Sequence, residues 1–322
     1  MKKKIMLGLA ILIALTASLS AQNNPKTAEE YINRGDAYYD IRDYDRAIAD
    51  YTQAIRIDPN NADIYNMRGL SYFKKGDYDR AIADYTQAIR IDPNNAKAFN
   101  NRGYVYDEEE DYDRAIIDYT QAIRIDPNFY TAYYNRAYVY YMIGDYYQSI
   151  ADYTETIRLA PKYANAYYNR AEAFLAIKDY AQAIDDFTQA IRIDPNALRA
   201  NNKKFAFAYV SRGFDYYNNG DNDRAIEDYT QAIRFDPNNT TAYNNRGAAY
   251  NNKGEYDLAI ADLNQAIRLI PNSANPYRHR AFAYMKKGNY RQARADVNKS
   301  LQINPGYQSA QDLSAELQQL GY

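Results

Sequence analysis

The chain has 322 residues, with 39 basic and 41 acidic side chains, 38 tyrosines, one histidine and neither cysteine nor tryptophan. Balanced charge argues against a nucleic-acid or membrane-surface protein, which needs a basic excess. The missing cysteine excludes disulfides, thiolate nucleophiles and Cys-based zinc sites, and one histidine leaves a Ser-His-Asp triad a single candidate base.

In chain order, Lys2, Lys3 and Lys4 come first, followed by an apolar stretch from Ile5 to Leu15 and the small-x-small pattern Ser18-Leu19-Ser20 before Ala21. This is the plan of a secretory signal peptide over residues 1–21. The apolar run is shorter than the roughly 20 residues that span a bilayer. The expectation is export to the periplasm or beyond, cleavage near Ser20/Ala21, and no stable membrane insertion afterwards; an uncleaved anchor is the alternative. Residues 22–27 form a short leader.

From there a 34-residue period takes over. Pro59, Pro93, Pro127, Pro161 and Pro195 are 34 apart; a gap of 42 leads to Pro237, and 34 resumes to Pro271 and Pro305. Eight repeats follow: five over 28–197, an insertion at 198–205, and three over 206–307. Residues 44–62 and 78–96 are identical. Repeat 2 predicts a helix from about Ala62 to Lys75, a left-handed turn at Gly76, an N-cap at Asp77 and a second helix. That second helix should bury Tyr78, Ala81, Ile82, Tyr85, Ala88 and Ile89 on one face. Asp92-Pro93 stops it. Gly144, Gly220, Gly254 and Gly288 match Gly76, and Asp43, Asp111, Asp145, Asp179, Asp221 and Asn289 match Asp77. Residues 308–322 predict a capping helix with Ala310, Leu313, Leu317 and Leu320 on its apolar face. The insertion lengthens the first helix of repeat 6 by about two turns, or else forms a loop or break; either divides the array into five repeats and three.

Within the repeat, place 4 is aromatic (Tyr31, Tyr65, Phe99 and their equivalents), place 8 is Gly or Ala, place 11 is aromatic and place 20 is Ala, with Ser149 the exception. This pattern resembles the tetratricopeptide repeat (TPR) family, whose 34-residue units are helix-turn-helix hairpins. The resemblance implies an all-α fold: a right-handed α-solenoid superhelix of eight TPR units plus a C-terminal capping helix, with the first helices lining a concave groove.

The chain departs from that family at place 7, where leucine is usual. Arginine stands there in all eight repeats, and aspartate stands at place 23 in all eight. A ladder of partly buried ion pairs is expected, with Arg102–Asp118 and Arg136–Asp152 as representative rungs. The alternative is that both charges are solvated and merely copied.

The second helices are near copies while the first helices differ, so the groove face is the diversified one. Place 6 holds Asn33, Asn101, Asn135, Asn169 and Asn245, with His279 in repeat 8. These resemble the asparagine ladder of the O-linked N-acetylglucosamine transferase superhelix, which implies contacts to an extended peptide backbone. Asparagine suits that role because it offers donors and an acceptor without charge; a solvated surface in an asparagine-rich chain is the alternative. Tyr134, Tyr138, Tyr141 and Tyr168 with Phe214 and Tyr217 are expected to form an aromatic patch, or else ordinary core. No lysine occupies place 5, so the family's carboxylate clamp for chaperone C-termini does not carry over. The acidic run Asp107–Asp111 is read as a solvated turn, with capture of a cation or basic segment as the other possibility. Gly220-Asp221-Asn222-Asp223 lacks calcium-loop spacing.

No catalytic residue, metal or cofactor is called for. The expected function is a non-enzymatic adaptor that binds an extended peptide or a partner's helix in its groove. Cell-wall or carbohydrate binding through Tyr and Asn is the alternative. The partner is a protein or peptide and not nucleic acid; the oligomeric state stays open.

Overall fold

Asp77 ends one helix and starts the next. The preceding helix, α3 (Ala62–Lys74), closes with Gly76 at φ 76°. The Gly76 N–H reaches the Phe73 carbonyl at 2.8 Å, and the Asp77 N–H reaches that of Tyr72 at 3.0 Å. These two bonds are a Schellman closure. The Asp77 carboxylate then accepts from the Arg80 N–H and caps α4 (Tyr78–Ile91). One residue thus satisfies both helix ends, and the two helices fold back as a hairpin.

The computed structural model describes residues 25–195 and 202–322; the signal-peptide reading lies outside the described residues, as does the start of the insertion. Seventeen α-helices fill the described chain, with no strand among the described residues. The fold is an all-α solenoid of helical hairpins, in two compact parts, the described residues up to 161 and those from 162 onward.

The N-terminal part contains α1 (Ala28–Asp40), α2 (Tyr44–Ile57), α3, α4, α5 (Ala96–Glu108), α6 (Tyr112–Ile125), α7 (Tyr130–Met142) and α8 (Tyr146–Leu159). Each hairpin packs against the next through its second helix. First helices of successive repeats also touch, α3 with α5 and α5 with α7.

The second helices bury a narrow stripe. In α4 it is Ala81, Asp84, Tyr85 and Ala88; the expected Tyr78, Ile82 and Ile89 are only half-buried. Place 8 is small because the helices cross there: a Cβ on Gly69 would sit 2.9 Å from the Tyr85 ring. The left-handed turn is not always glycine. Arg42, Glu110 and Lys178 occupy it at φ 59–64°. Aspartate caps α2, α4, α6 and α8.

The C-terminal part contains α9 (Ala164–Ala176), α10 (Tyr180–Ile193), α11 (Asn202–Asn218), α12 (Asn222–Phe235), α13 (Thr240–Lys253), α14 (Tyr256–Leu269), α15 (Ala274–Lys286), α16 (Tyr290–Ile303) and α17 (Gln308–Gln319). Two expectations are corrected by its caps. Asn289 precedes α16 without a side-chain cap bond, because its amide does not reach the free N–H groups. Leu320 lies past the end of α17 and is exposed, while Ala310, Leu313 and Leu317 do face the core.

The described end of the insertion packs against both repeat 5 and repeat 6. α11 begins at Asn202, so four inserted residues extend it by about one turn at 3.6 residues per turn. The last of them, Phe205, is 1% exposed. Its ring centroid lies 5.5 Å from Phe187, 5.0 Å from Tyr209 and 4.2 Å from Phe235. Repeats 5 and 6 thus share one aromatic core, and the boundary between compact parts falls before repeat 5. At the far end, α17 covers Ala281, Met285, Ala293 and Val297.

Candidate functional site

Two sets of groups stand out once the hairpins are built: the charged pairs inside them and the polar and aromatic side chains on the first helices. The pairs form in all eight repeats. Arg102 donates from Nε to Asp118 Oδ2 at 2.7 Å and from Nη2 to Oδ1 at 2.8 Å. Arg136 does the same to Asp152 at 2.7 and 2.8 Å. The aspartates are buried, Asp118 to 2% exposure, while the arginines keep one edge in water, Arg102 at 18%. The solvated alternative is thereby eliminated. Hydrogen bonding to aspartate raises the Arg68 and Arg102 pKa values, and burial raises that of Asp84 against the pull of Arg68.

In repeats 2, 3, 4, 7 and 8 the remaining nitrogen of the guanidinium reaches back to the preceding hairpin. Nη1 of Arg68, Arg102, Arg136 and Arg246 donates to Thr52, Thr86, Thr120 and Thr230 at 2.9–3.1 Å, and Arg280 donates to Asn264. Place 25 therefore completes a three-point clip between repeats. Its signal was present in the sequence as Thr or Asn in every repeat, and only the helix crossing reveals it. Arg212 keeps Asp228 but makes no such bond among the described residues, and Phe205 takes over the joint there.

The asparagines of the N-terminal part join into a chain. Asn135 Nδ2 donates to Asn100 Oδ1 at 3.1 Å, Asn100 Nδ2 to Asn101 Oδ1 at 3.4 Å, and Asn101 Nδ2 to Asn66 Oδ1 at 3.0 Å. Places 6 and 5 of adjacent first helices are thus linked. Asn101 and Asn135 stay half-exposed, and each amide has more donor and acceptor sites than this chain uses. Asn33 is exposed. In the C-terminal part Asn169 is half-buried, and Asn245 accepts from Asn244 at 3.1 Å and lies beside the Tyr229 phenol.

The aromatic positions divide. Tyr134 packs edge-on against the core Tyr153 at 5.6 Å and Tyr141 against Tyr146 at 5.5 Å; these serve packing. Tyr138 is 43% exposed, with Met142 and Ile143 exposed nearby in sequence. Separately, in the C-terminal part, Tyr168 lies on Phe187 and under Lys204, Tyr217 is half-buried, and Phe214 is 49% exposed.

The acidic run does not behave as one solvated turn. Asp111 caps α6 by accepting from the Arg114 N–H, and Glu109 and Glu110 are exposed. Asp107 is half-buried; burial and the neighbouring Glu108 push its pKa up to about 6. His279 is no neutral-pH sensor: burial and Arg278 hold its pKa down at about 4. No group of three or more His, Asp or Glu side chains arranged to hold a metal occurs among the described residues. No described helix is long and apolar enough to cross a membrane.

Models of the tetratricopeptide repeat match residues 14–62, 32–96, 66–129, 118–151, 164–197, 240–273 and 274–307, and a TPR repeat model matches 213–254. The chain belongs to the tetratricopeptide repeat family. No curated protein matches it. Among solved structures, the crystal structure of MamA is 25% identical and covers 51% of this TPR chain and 96% of its own, with a TM-score of 0.47. The C-terminal part of a TPR repeat-containing protein from Cytophaga hutchinsonii is 18% identical over 88% of this chain and 98% of its own, TM-score 0.53. The structure of Naa15/Naa10 bound to HypK-THB is 15% identical over 89% of this chain and 44% of its own, TM-score 0.57. The last two likenesses speak to the fold.

Proposed function

We propose that this TPR protein is a non-enzymatic scaffold that binds an extended segment of a partner protein along its first helices. The observation that carries the reading is the division of labour between the two helices of each hairpin. The second helices are near copies and bury Ala, Asp, Tyr and Ala for packing. The first helices differ from one repeat to the next and leave amides and aromatic rings open. In the N-terminal part these are the spare valences of Asn101 and Asn135 and the ring of Tyr138. A neutral amide row suits a peptide backbone, with each bond worth about 1 kcal/mol net, so several rungs act together. Exposed tyrosine is an enriched contact residue.

The N-terminal 21 residues support the further proposal that the partner is met in the periplasm or outside the cell. The test is crosslinking and pull-down from the exporting cell with wild-type chain and with Asn101→Ala, Asn135→Ala and Asn169→Ala combined. Loss of captured proteins in the triple variant, with its helicity intact, supports the groove. Unchanged capture removes the asparagine row from the reading. Retention on purified peptidoglycan without captured protein replaces it by carbohydrate binding through the same tyrosines.

A further inference from the structure

One lysine ties the hairpin tips together in three neighbouring pairs of repeats. Place 14 stands at the end of a first helix, and place 18 is the second residue of the second helix in the repeat before it. Across these places Lys75 reaches Asp45, and Lys287 reaches Asp257. Lys253 lies between two carboxylates, 2.7 Å from Asp223 and 2.9 Å from Glu255. Wherever place 14 is lysine, the joint takes up its ammonium.

Repeats 2 and 3 break this rule. Place 18 is Asp79 and place 14 is Glu109, the one acid-against-acid combination among the seven neighbouring pairs. Both side chains are exposed, and both border one open pocket of about 360 Å³ at the tips of the α3–α4 and α5–α6 hairpins. The bases nearby are engaged elsewhere. Lys75, on the pocket rim, holds Asp45; Arg80 holds Asp77; Lys74 lies over the Phe73 ring at 5.3 Å. Neither Asp79 nor Glu109 has an ion pair among the described residues.

A third wall is aromatic. Tyr78 lines the same pocket, and its ring stacks on Phe73 with centroids 5.6 Å apart. A ring beside two carboxylates suits an ammonium, which gains from charge and π-face together. The three occupants inside the chain are all lysine, whose compact ammonium needs no parallel fork of acceptors as arginine does. A metal ion fits worse: calcium takes six to eight oxygen ligands, and no described group of three or more acidic side chains is arranged to hold one.

We propose that Asp79, Glu109 and Tyr78 receive the ammonium of one lysine from the partner protein, in the place that Lys75, Lys253 and Lys287 fill at the other joints. The inference rests on the scaffold reading for the existence of a protein partner. It adds a contact at the hairpin tips, apart from the asparagine row.

The test uses the full chain and two probes, acetyl-Ala-Ser-Lys-Ser-Ala-amide and the same peptide with norleucine in place of lysine. NMR follows the side-chain carboxyl carbons of Asp79 and Glu109, with those of Asp45 and Asp223, whose places are already filled, as internal controls. The lysine peptide is expected to shift Asp79 and Glu109 saturably and to leave the controls unmoved. It should bind at least about threefold more tightly than the norleucine peptide, the scale of an exposed ion pair. Glu109→Lys is expected to fill the pocket from within: the peptide response disappears and the melting temperature rises by about 1–3 °C. Equal binding of the two peptides, equal movement of the controls, or a lysine preference that survives Glu109→Lys overturns the proposal. So does saturation of the Asp79 and Glu109 signals by micromolar calcium or magnesium chloride, which makes the pocket a metal site. Any of these failures leaves the asparagine row to its own capture test, and loss of that row leaves these shifts unchanged.

Discussion

Arg102 grips Asp118 with two parallel hydrogen bonds of 2.7 and 2.8 Å across the hairpin, and with its remaining nitrogen holds Thr86 of the previous hairpin at 3.0 Å. Such pairs specify geometry more than they stabilise, because desolvating two charges can exceed their attraction. Asp118→Ala strands a half-buried guanidinium, and a loss of about 3–5 kcal/mol is expected. Arg102→Met with Asp118→Leu should lie close to wild type. Urea unfolding followed by circular dichroism checks both; equal losses for the single and double variants contradict the argument.

Tyr51 and Tyr119 occupy the same place in repeats 1 and 3, yet only Tyr51 has a partner for its hydroxyl. Tyr51→Phe should therefore lose roughly 1–2 kcal/mol, while Tyr119→Phe should be neutral or slightly stabilising in the unliganded protein. Thermal melts of the two variants decide this directly.

Arg42, Glu110 and Lys178 hold a left-handed backbone that favours glycine. Each replacement by glycine should raise stability by about 0.5–1 kcal/mol, the relief of left-handed strain less the added freedom of the unfolded chain. The sites lie in different repeats, so the three gains should add. A triple variant no more stable than wild type would count against the strain.

Asp107 has an ordinary pKa of 3.8 and a folded one near 6. A carboxyl raised in this way contributes stability below the unfolded value, and that contribution is lost as pH rises through the folded one. Asp107→Asn should therefore match wild type near pH 4 and exceed it above pH 6, by on the order of 1 kcal/mol after solvent screening. Melting curves at pH 4, 5, 6 and 7.5 give the profile; a constant difference across them removes the burial effect.

Phe205 fills the joint between repeats 5 and 6. Phe205→Ala is expected to cost about 3–5 kcal/mol. The loss should fall on amide protection in the C-terminal part while the N-terminal part keeps its own, as hydrogen exchange can show.

The hairpins were legible in the sequence because a 34-residue proline period runs through it and a glycine, a capping aspartate or both mark the turns. The Arg102–Asp118 rung was legible for the same reason, since a charge repeated eight times on each of two adjacent helices needs a common explanation. The link from Asn101 to Asn66 was not, because it joins residues 35 apart in neighbouring repeats and depends on how far the first helices slide. Phe187 and Phe235 are the phenylalanines at their places in the eight repeats, and both flank the insertion, but their meaning shows only once Phe205 is seen between them. Asp107 was hidden within a uniform acidic run; it lies on α5, whereas Glu109 and Glu110 fall in the turn after the helix ends at Glu108.

The clip of Arg, Asp and Thr is cut to one template along most of the molecule. A gene that drops or duplicates one of the interior modules still presents a matching bolt and socket at the new seam. Length can therefore drift over evolutionary time without a fresh joint being invented. The exception is the seam sealed by Phe205, which accepts only its own two neighbours and fixes where such shuffling must stop.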